Sequence, residues 1–164
     1  MITAKNVAEY FLSKDPDRRL FNKNVVVYND RKFYEGNARL NKYLFLSQVV
    51  HLAKYDCKLF EDNFCAYDNG PVVEDIMNSY GRLTGKSNES IIDDQTKDFL
   101  DKIFFSLENA SYEELIDITH EDPEWQKLSS QTYDAPVMHI EDNIEEYKKR
   151  YKGLIAALDI WNMI

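Results

Sequence analysis

Residues 37–55, "NARLNKYLFLSQVVHLAKY", place apolar side chains on nearly every face of what their spacing makes a helix. Leu40, Tyr43, Leu44, Ser47, Val50 and His51 fall along one side, and Phe45, Val49, Leu52 and Ala53 almost close the ring. A helix apolar nearly all round is stable only when other elements cover it. This segment is therefore predicted to be the buried centre of the fold, and the rest of the chain must supply its cover. With 44% apolar and 13% aromatic residues among 164, but only five Gly and four Pro, there is material for one core of ordinary size and little for long linkers. The expected architecture is mainly α: a single compact helical domain, residues 1–164, around that central helix, with a small β-hairpin or short-strand element.

The flanking segments fit such a cover. Thr3 is placed to cap a first helix running to about Ser13, with Val7, Phe11 and Leu12 inward and Lys5, Glu9 and Lys14 outward. The run "NVVVYNDRKFY", 24–34, reads as a hairpin turning at Asn29-Asp30. After the central helix, Phe64 to Tyr67 reads as a short strand, Asp68-Asn69-Gly70 as a turn, and Pro71 as the opening of a helix through about Tyr80. Residues 80–90 read as a polar loop. Asp93 or Asp94 begins a helix to about Leu107, and Ser111 to Glu114 is a capping-box pattern before a short helix to about Ile118. The region from about 139 to 164 is helical, its charged first half giving way at Gly153 to Leu154, Ile155, Leu158, Ile160, Trp161 and Ile164. That apolar stripe is expected to pack on the chain's own core, a homodimer seam being the alternative.

Charge narrows the function classes. A net charge of −9 argues against a surface built to neutralise phosphates, so no nucleic acid is expected to bind through this domain alone. The charge is uneven: Glu108, Glu113, Glu114, Asp117, Glu121, Asp122 and Glu124 lie between 108 and 124 with no Lys or Arg among them, whereas residues 14–42 are net basic. A signal-peptide pattern and a window approaching 18 apolar residues are both missing from the sequence. Two cysteines, Cys57 and Cys65, have neither a zinc nor a disulfide-framework spacing. A soluble cytoplasmic protein with reduced thiols, and no membrane partner, is the expectation.

The densest cluster of reactive groups is "DITHEDPEW", 117–125. His120 with Glu121, Asp122 or Glu124 has the chemistry of a metal or acid–base site. Only His51 and His139 remain as further imidazoles, and no His-Glu-x-x-His pattern is present. Cys65 lacks the small-residue elbow of a nucleophile, and the five glycines form no phosphate-binding loop. No catalytic, cofactor-binding or metal-binding residue is assigned. The structural reading is more specific: Asp122-Pro123-Glu124 has the order of an N-cap, a first-turn proline and a first-turn acid. Thr119 and His120 then form the link between two short helices, His120 within reach of a carbonyl left free by the first, and Trp125 anchors the second in the core. His51 is read as a hydrogen-bonded core histidine.

Three separated segments, in order, resemble the Panacea domain, an antitoxin-associated family that includes SocA-like proteolytic adaptors and phage-associated GepA-like proteins. Leu40, Asn41, Lys42, Tyr43, Leu44, Phe45, Leu46, Ser47 and Gln48 fall on the family's central-helix pattern, followed by His51-Leu52-Ala53. Leu59-Phe60, then Ala66-Tyr67 and Gly70-Pro71-Val72-Val73, match its second segment. Leu115, Thr119, His120, Glu121, Pro123 and Trp125 match its third. With "VAEYFL" at 7–12 the likeness covers about residues 7–128, leaving about 139–164 as a C-terminal extension. Asn41, Tyr43 and Phe45 depart from the pattern, and Asp56 stands where a glycine is common.

The resemblance implies a non-enzymatic protein that binds and neutralises a cognate toxin or, as a SocA-like adaptor, also delivers it to a Clp-type protease. A phage protein that captures a host factor is a further reading of the same surface. The residues fit action through a surface, which needs aromatic anchors and a sizeable interface rather than chemistry. Tyr28, Phe33 and Tyr34 on the hairpin and Glu113, Glu114 and Asp117 in the acidic run are the candidate partner-binding residues.

Overall fold

The computed structural model describes residues 2–28, 30–86, 91–129 and 135–161. Thr3 opens α1 (Ala4–Ser13): its hydroxyl accepts from the Asn6 amide at 3.1 Å while Asn6 Oδ1 accepts from the Thr3 amide at 2.9 Å. This reciprocal box uses Asn where Glu is usual, and it satisfies two otherwise orphaned donors. The inward face is Ala4, Val7, Ala8, Phe11 and Leu12.

β1 (Val25–Tyr28) and β2 (Arg31–Tyr34) form the expected antiparallel hairpin, with Val25 opposite Tyr34 and Val27 opposite Lys32. Asp30 adopts positive φ at its turn. Of the predicted features, Asn29, residues 87–90 of the polar loop and Ile164 lie outside the described residues, as do the side chains of Tyr28, Ile160 and Trp161.

α2 (Glu35–Tyr55) is the predicted central helix and starts two residues earlier than its apolar pattern. Sixteen of its residues are buried, polar ones included. Tyr43 sits at the middle of the aromatic packing, with Phe11 and Phe21 edge-on at 5.7 and 5.1 Å and Phe104 at 6.1 Å. Each such pair adds roughly 0.5–1.5 kcal/mol beyond the area it buries, so the departure from leucine at this position knits α1 and the Phe21 segment to α2.

β3 (Cys65–Tyr67) and β4 (Gly70–Val72) form a second antiparallel hairpin. Here the expectation is corrected. Pro71 does not open a helix; it lies in β4 opposite Ala66, and α3 (Glu74–Ser79) begins three residues later. A two-stranded ladder needs no amide from Pro71 if that residue faces the free edge. Residues 80–86 are also not a plain polar loop, since Tyr80–Arg82 make a 3₁₀ turn that buries Tyr80 and Leu83 follows it into the core.

α4 (Asp94–Leu107) is capped by Asp93 and buries Phe99, Ile103 and Leu107 as predicted. α5 (Tyr112–His120) is capped by the Ser111 side chain, which accepts from the Glu114 amide, and runs two residues beyond the expected end. α6 (Pro123–Ser129) follows. The C-terminal region is broken: a 3₁₀ turn at Ile140–Asn143, α7 (Ile144–Arg150), an interruption at Tyr151, then α8 (Lys152–Trp161). Leu158 belongs to the core, Leu154 and Ile155 pack against it, and Lys54 of α2 pairs with Asp159. Helices α1, α3, α4, α5 and α7 all pack on α2. The fold is mainly α with two small antiparallel hairpins.

Two backbone positions at the ends of α2 carry the packing. A Cβ at Gly36 would lie 2.2 Å from the Asn22 amide nitrogen and 2.3 Å from the Tyr80 hydroxyl, which itself donates to the Asn22 carbonyl. At the other end Asp56 is left-handed, φ 59°, with its amide bonded to the Leu52 carbonyl at 2.9 Å. Glycine adopts that conformation without the strain a side chain brings. Gly36→Ala is expected to lose about 1–3 kcal/mol of stability to overpacking, against the gain that alanine brings to an open helix. Asp56→Gly is expected to gain about 0.5–1 kcal/mol, the exposed Lys148 pair that it removes contributing little. Urea unfolding of both variants checks the pair, and a stabilised Gly36→Ala would sink the first.

Candidate partner-binding site

Buried polar side chains on α2 reach for main chain that regular structure leaves unpaired. Asn41 Oδ1 accepts from the Val73 amide at 2.9 Å, and the Asn41 amide donates to the Asn37 carbonyl at 3.0 Å. Lys42 Nζ donates to the Asn69 carbonyl at 2.9 Å. Gln48 donates to the Phe60 carbonyl at 2.6 Å and accepts from the Leu59 amide at 2.8 Å. A buried amide or amine costs stability unless it is paired, and so does a buried backbone group. Each here satisfies the other, which fixes the path of residues 59–73 against the helix.

The three motif segments meet at Gly70. Its φ is +120°, and a Cβ there would stand 3.2 Å from Thr119 Oγ1 and 3.6 Å from Lys42 Nζ. Thr119 is fully buried, and its hydroxyl donates back to the Leu115 carbonyl at 3.0 Å. Lys42 also lies 5.6 Å from the Tyr112 ring centroid. Lys42, Gly70 and Thr119, some 80 residues apart at the extremes, therefore make one cradle under the β3–β4 turn.

The α5–α6 junction closes the cradle. Asp122 Oδ2 accepts from the Trp125 amide at 2.9 Å, the predicted cap of α6. Trp125 Nε1 donates to the Tyr67 carbonyl at 2.7 Å, and its indole stacks on His120 with centroids 4.2 Å apart and planes 6° from parallel. Two expectations are corrected. Thr119 and His120 belong to α5, the link being Glu121-Asp122; and His120 stacks on Trp125 beside the backbone of Asn69, in the β3–β4 turn, rather than turning to a carbonyl at the end of α5. His51 does donate from Nδ1 to a carbonyl, that of Cys57, at 2.8 Å, but it is half-buried at the edge of the core rather than within it.

Burial dominates the electrostatics here. Burial lowers the Lys42 amine to about 8, and among the described residues no carboxylate pairs with it. Burial also lowers His120, the Asn69 backbone opposing and Lys42 reinforcing the shift. Burial pushes the Cys65 thiol up to about 11, with Glu74 adding to the effect, the reverse of what a thiolate nucleophile needs. Asp122 is raised by burial and faces Tyr147 and Tyr151, whose hydroxyls are likewise buried. Among the described residues, no three His, Cys, Asp or Glu side chains gather as metal ligands.

Beside the cradled turn lies a groove of about 560 Å³. It is lined by β2, by Tyr67, Asp68 and Asn69 of the turn, by Met77 and Tyr80, and by Asn37 of α2. Of the candidate partner-binding residues, half-buried Phe33 and Tyr34, 38% exposed, line this groove. Tyr28 is in β1. Glu113, Glu114 and Asp117 lie exposed on α5, which contributes no lining residue. Val25 and Val27, each 62% exposed, were not singled out from the sequence, although strand alternation puts them on one face. Leu40 and Gln48 are wholly buried, Ala66, Pro71 and Val72 are in the second hairpin, and Glu121 is exposed beside Arg150. Asn41, whose side chain holds Val73, was read as a departure from the family pattern. A signal for it existed: seven residues from Gln48, it shares that residue's stripe of the helix.

The fold and cradle define a class of mainly helical proteins built around one clamped, buried helix. Residues 40–126 match the family model described as antitoxin SocA-like, Panacea domain. That is just over half of the chain, and the chain belongs to this family. No curated protein and no solved structure matches it. Among the described residues no helix is long and apolar enough to cross a membrane.

The lowered amine of Lys42 makes a pH prediction. Between about 8, its folded value, and 10.5, its ordinary one, the unfolded chain holds the proton that the folded chain has released. Stability attributable to Lys42 therefore rises with pH across that window. Relative to Lys42→Met, the native protein is expected to gain about 2–3 kcal/mol between pH 7 and 10. Urea titrations of both proteins at the two pH values measure this, and a constant difference would refute it.

Proposed function

We propose that the chain, residues 1–164 acting as one unit, is an antitoxin of a bacterial or prophage toxin–antitoxin pair. It works in the cytoplasm and neutralises its toxin by direct contact, without catalysing a reaction. The observation that carries this reading is the family match over 40–126, whose shared residues are spent on holding a turn. Lys42, Gly70, Thr119 and Trp125 have their polar groups turned to one another or to main chain, which leaves them little to offer a substrate. Their product is a fixed shape beside an open groove. The hairpin that lines that groove lies outside the matched residues, which suits a part that differs with the partner.

Co-expression with the product of the adjacent gene tests the proposal. The neighbour is expected to arrest growth alone, to copurify with this chain and to be harmless in its presence. A neighbour that is harmless alone and never copurifies would dismiss it. A partner whose half-life shortens when this chain is present would instead indicate the adaptor reading, delivery to a Clp-type protease.

A further inference from the structure

Among the described residues the hairpin β1–β2 is a two-stranded sheet, and no further strand pairs with either outer edge. Its hydrogen-bond phase is set at the base, where the Glu35 amide donates to the Asn24 carbonyl at 2.8 Å. Alternation along an antiparallel pair then makes Val25–Tyr34 and Val27–Lys32 the non-bonded pairs, whose main-chain groups point away from the hairpin. On β2 these are the N–H and C=O of Lys32 and the N–H of Tyr34, the Tyr34 carbonyl being taken by the first turn of α2. The groove lies on this edge: it is lined by four consecutive residues of β2 and by Val25 alone from β1.

We propose that the groove takes an extended segment of the toxin, which adds as a third strand to β2 and carries acidic side chains toward Arg31 and Lys32. The inference rests on the antitoxin reading. Main-chain bonds at Lys32 and Tyr34 would supply the pairing, and the apolar surfaces of Tyr34, Val25 and Met77 the contact for an aliphatic side chain. The volume, about 560 Å³, is of the size that takes a short peptide or small ligand. Charge selects the occupant. On a chain of net charge −9, the lining of this groove holds two cations, Arg31 and Lys32, and one carboxylate, Asp68. A second copy adding its own β2 would bring the same two cations, Arg31 and Lys32, into like-charge contact. An acidic strand from a different protein meets no such repulsion.

The experiment uses the purified complex of this chain with the product of the adjacent gene. Hydrogen exchange is expected to slow at 31–34 and 67–69 on complex formation. Arg31→Glu with Lys32→Glu, both exposed positions, is expected to weaken binding by about tenfold or more with the unfolding midpoint unchanged. Lys32→Pro removes an amide that the hairpin itself does not use, and is expected to bind more weakly than Lys32→Gln, which isolates the main-chain bond from the charge. A complex that forms with wild-type affinity despite the charge reversal, or protection confined to other segments, overturns the groove while leaving the antitoxin reading in place. A neighbour that does not bind overturns both. A concentration-dependent doubling of mass in the isolated chain, abolished by the reversal, assigns the edge to a second copy and overturns the proposal.

Discussion

The structure depends on one kind of contact: polar side chains on a buried helix bonded to the main chain of a segment whose own regular structure is one short hairpin. Asn41, Lys42 and Gln48 hold Val73, Asn69 and the Leu59-Phe60 pair respectively. Without them α2 would bury three unpaired polar groups, and the path from 59 to 73 would lose its anchors. The exchange explains how a helix can be covered on all sides without being apolar on all sides. It also explains why the cover differs around the helix, with helices on several faces and a clamped extended strip on another.

Much of this architecture was legible. The periodicity of 37–55, the Thr3 and Asp93 caps, the hairpin at 24–34 and the Asp122 cap were read from local rules, and local physics governs them. What escaped was decided elsewhere in the chain. Gly70-Pro71 looks like a strand-to-helix corner, yet Cys65 to Tyr67 claims it as a strand partner, and the bridge from Cys65 to Val137 adds a third length of chain alongside. Tyr80 and Leu83 look like loop residues until Gly36 and Asn22 make room for a tyrosine hydroxyl between them. The stripe after Gly153 packs on the chain's own core through Leu158, as its pattern predicts, but the burial of Tyr147 in the charged stretch before it has no such pattern. Such long-range choices have no local signature.

For the candidate site the division is similar. The residues came from a resemblance and the hairpin aromatics from composition; their meeting did not. "DITHEDPEW" presents a histidine and four carboxylates in nine positions, the look of an active site. In space its imidazole lies flat on an indole, one carboxylate caps α6, and Glu124 accepts from the His139 amide at 2.7 Å. The imidazole and two of the four carboxylates are taken up by architecture, Asp117 and Glu121 stay exposed, and the groove lies beside the turn that this junction supports.

That turn is gripped almost wholly by atoms common to every residue. Lys42 takes the carbonyl of Asn69 and Trp125 the carbonyl of Tyr67, while Asp68, at the tip, is exposed. Only Gly70 is restricted by what surrounds it. The side chains at the tip are therefore interchangeable as far as folding is concerned, much as a tool holder accepts different bits without being remade. Point substitution at 68 and 69 can therefore reshape this side of the groove at little cost in stability.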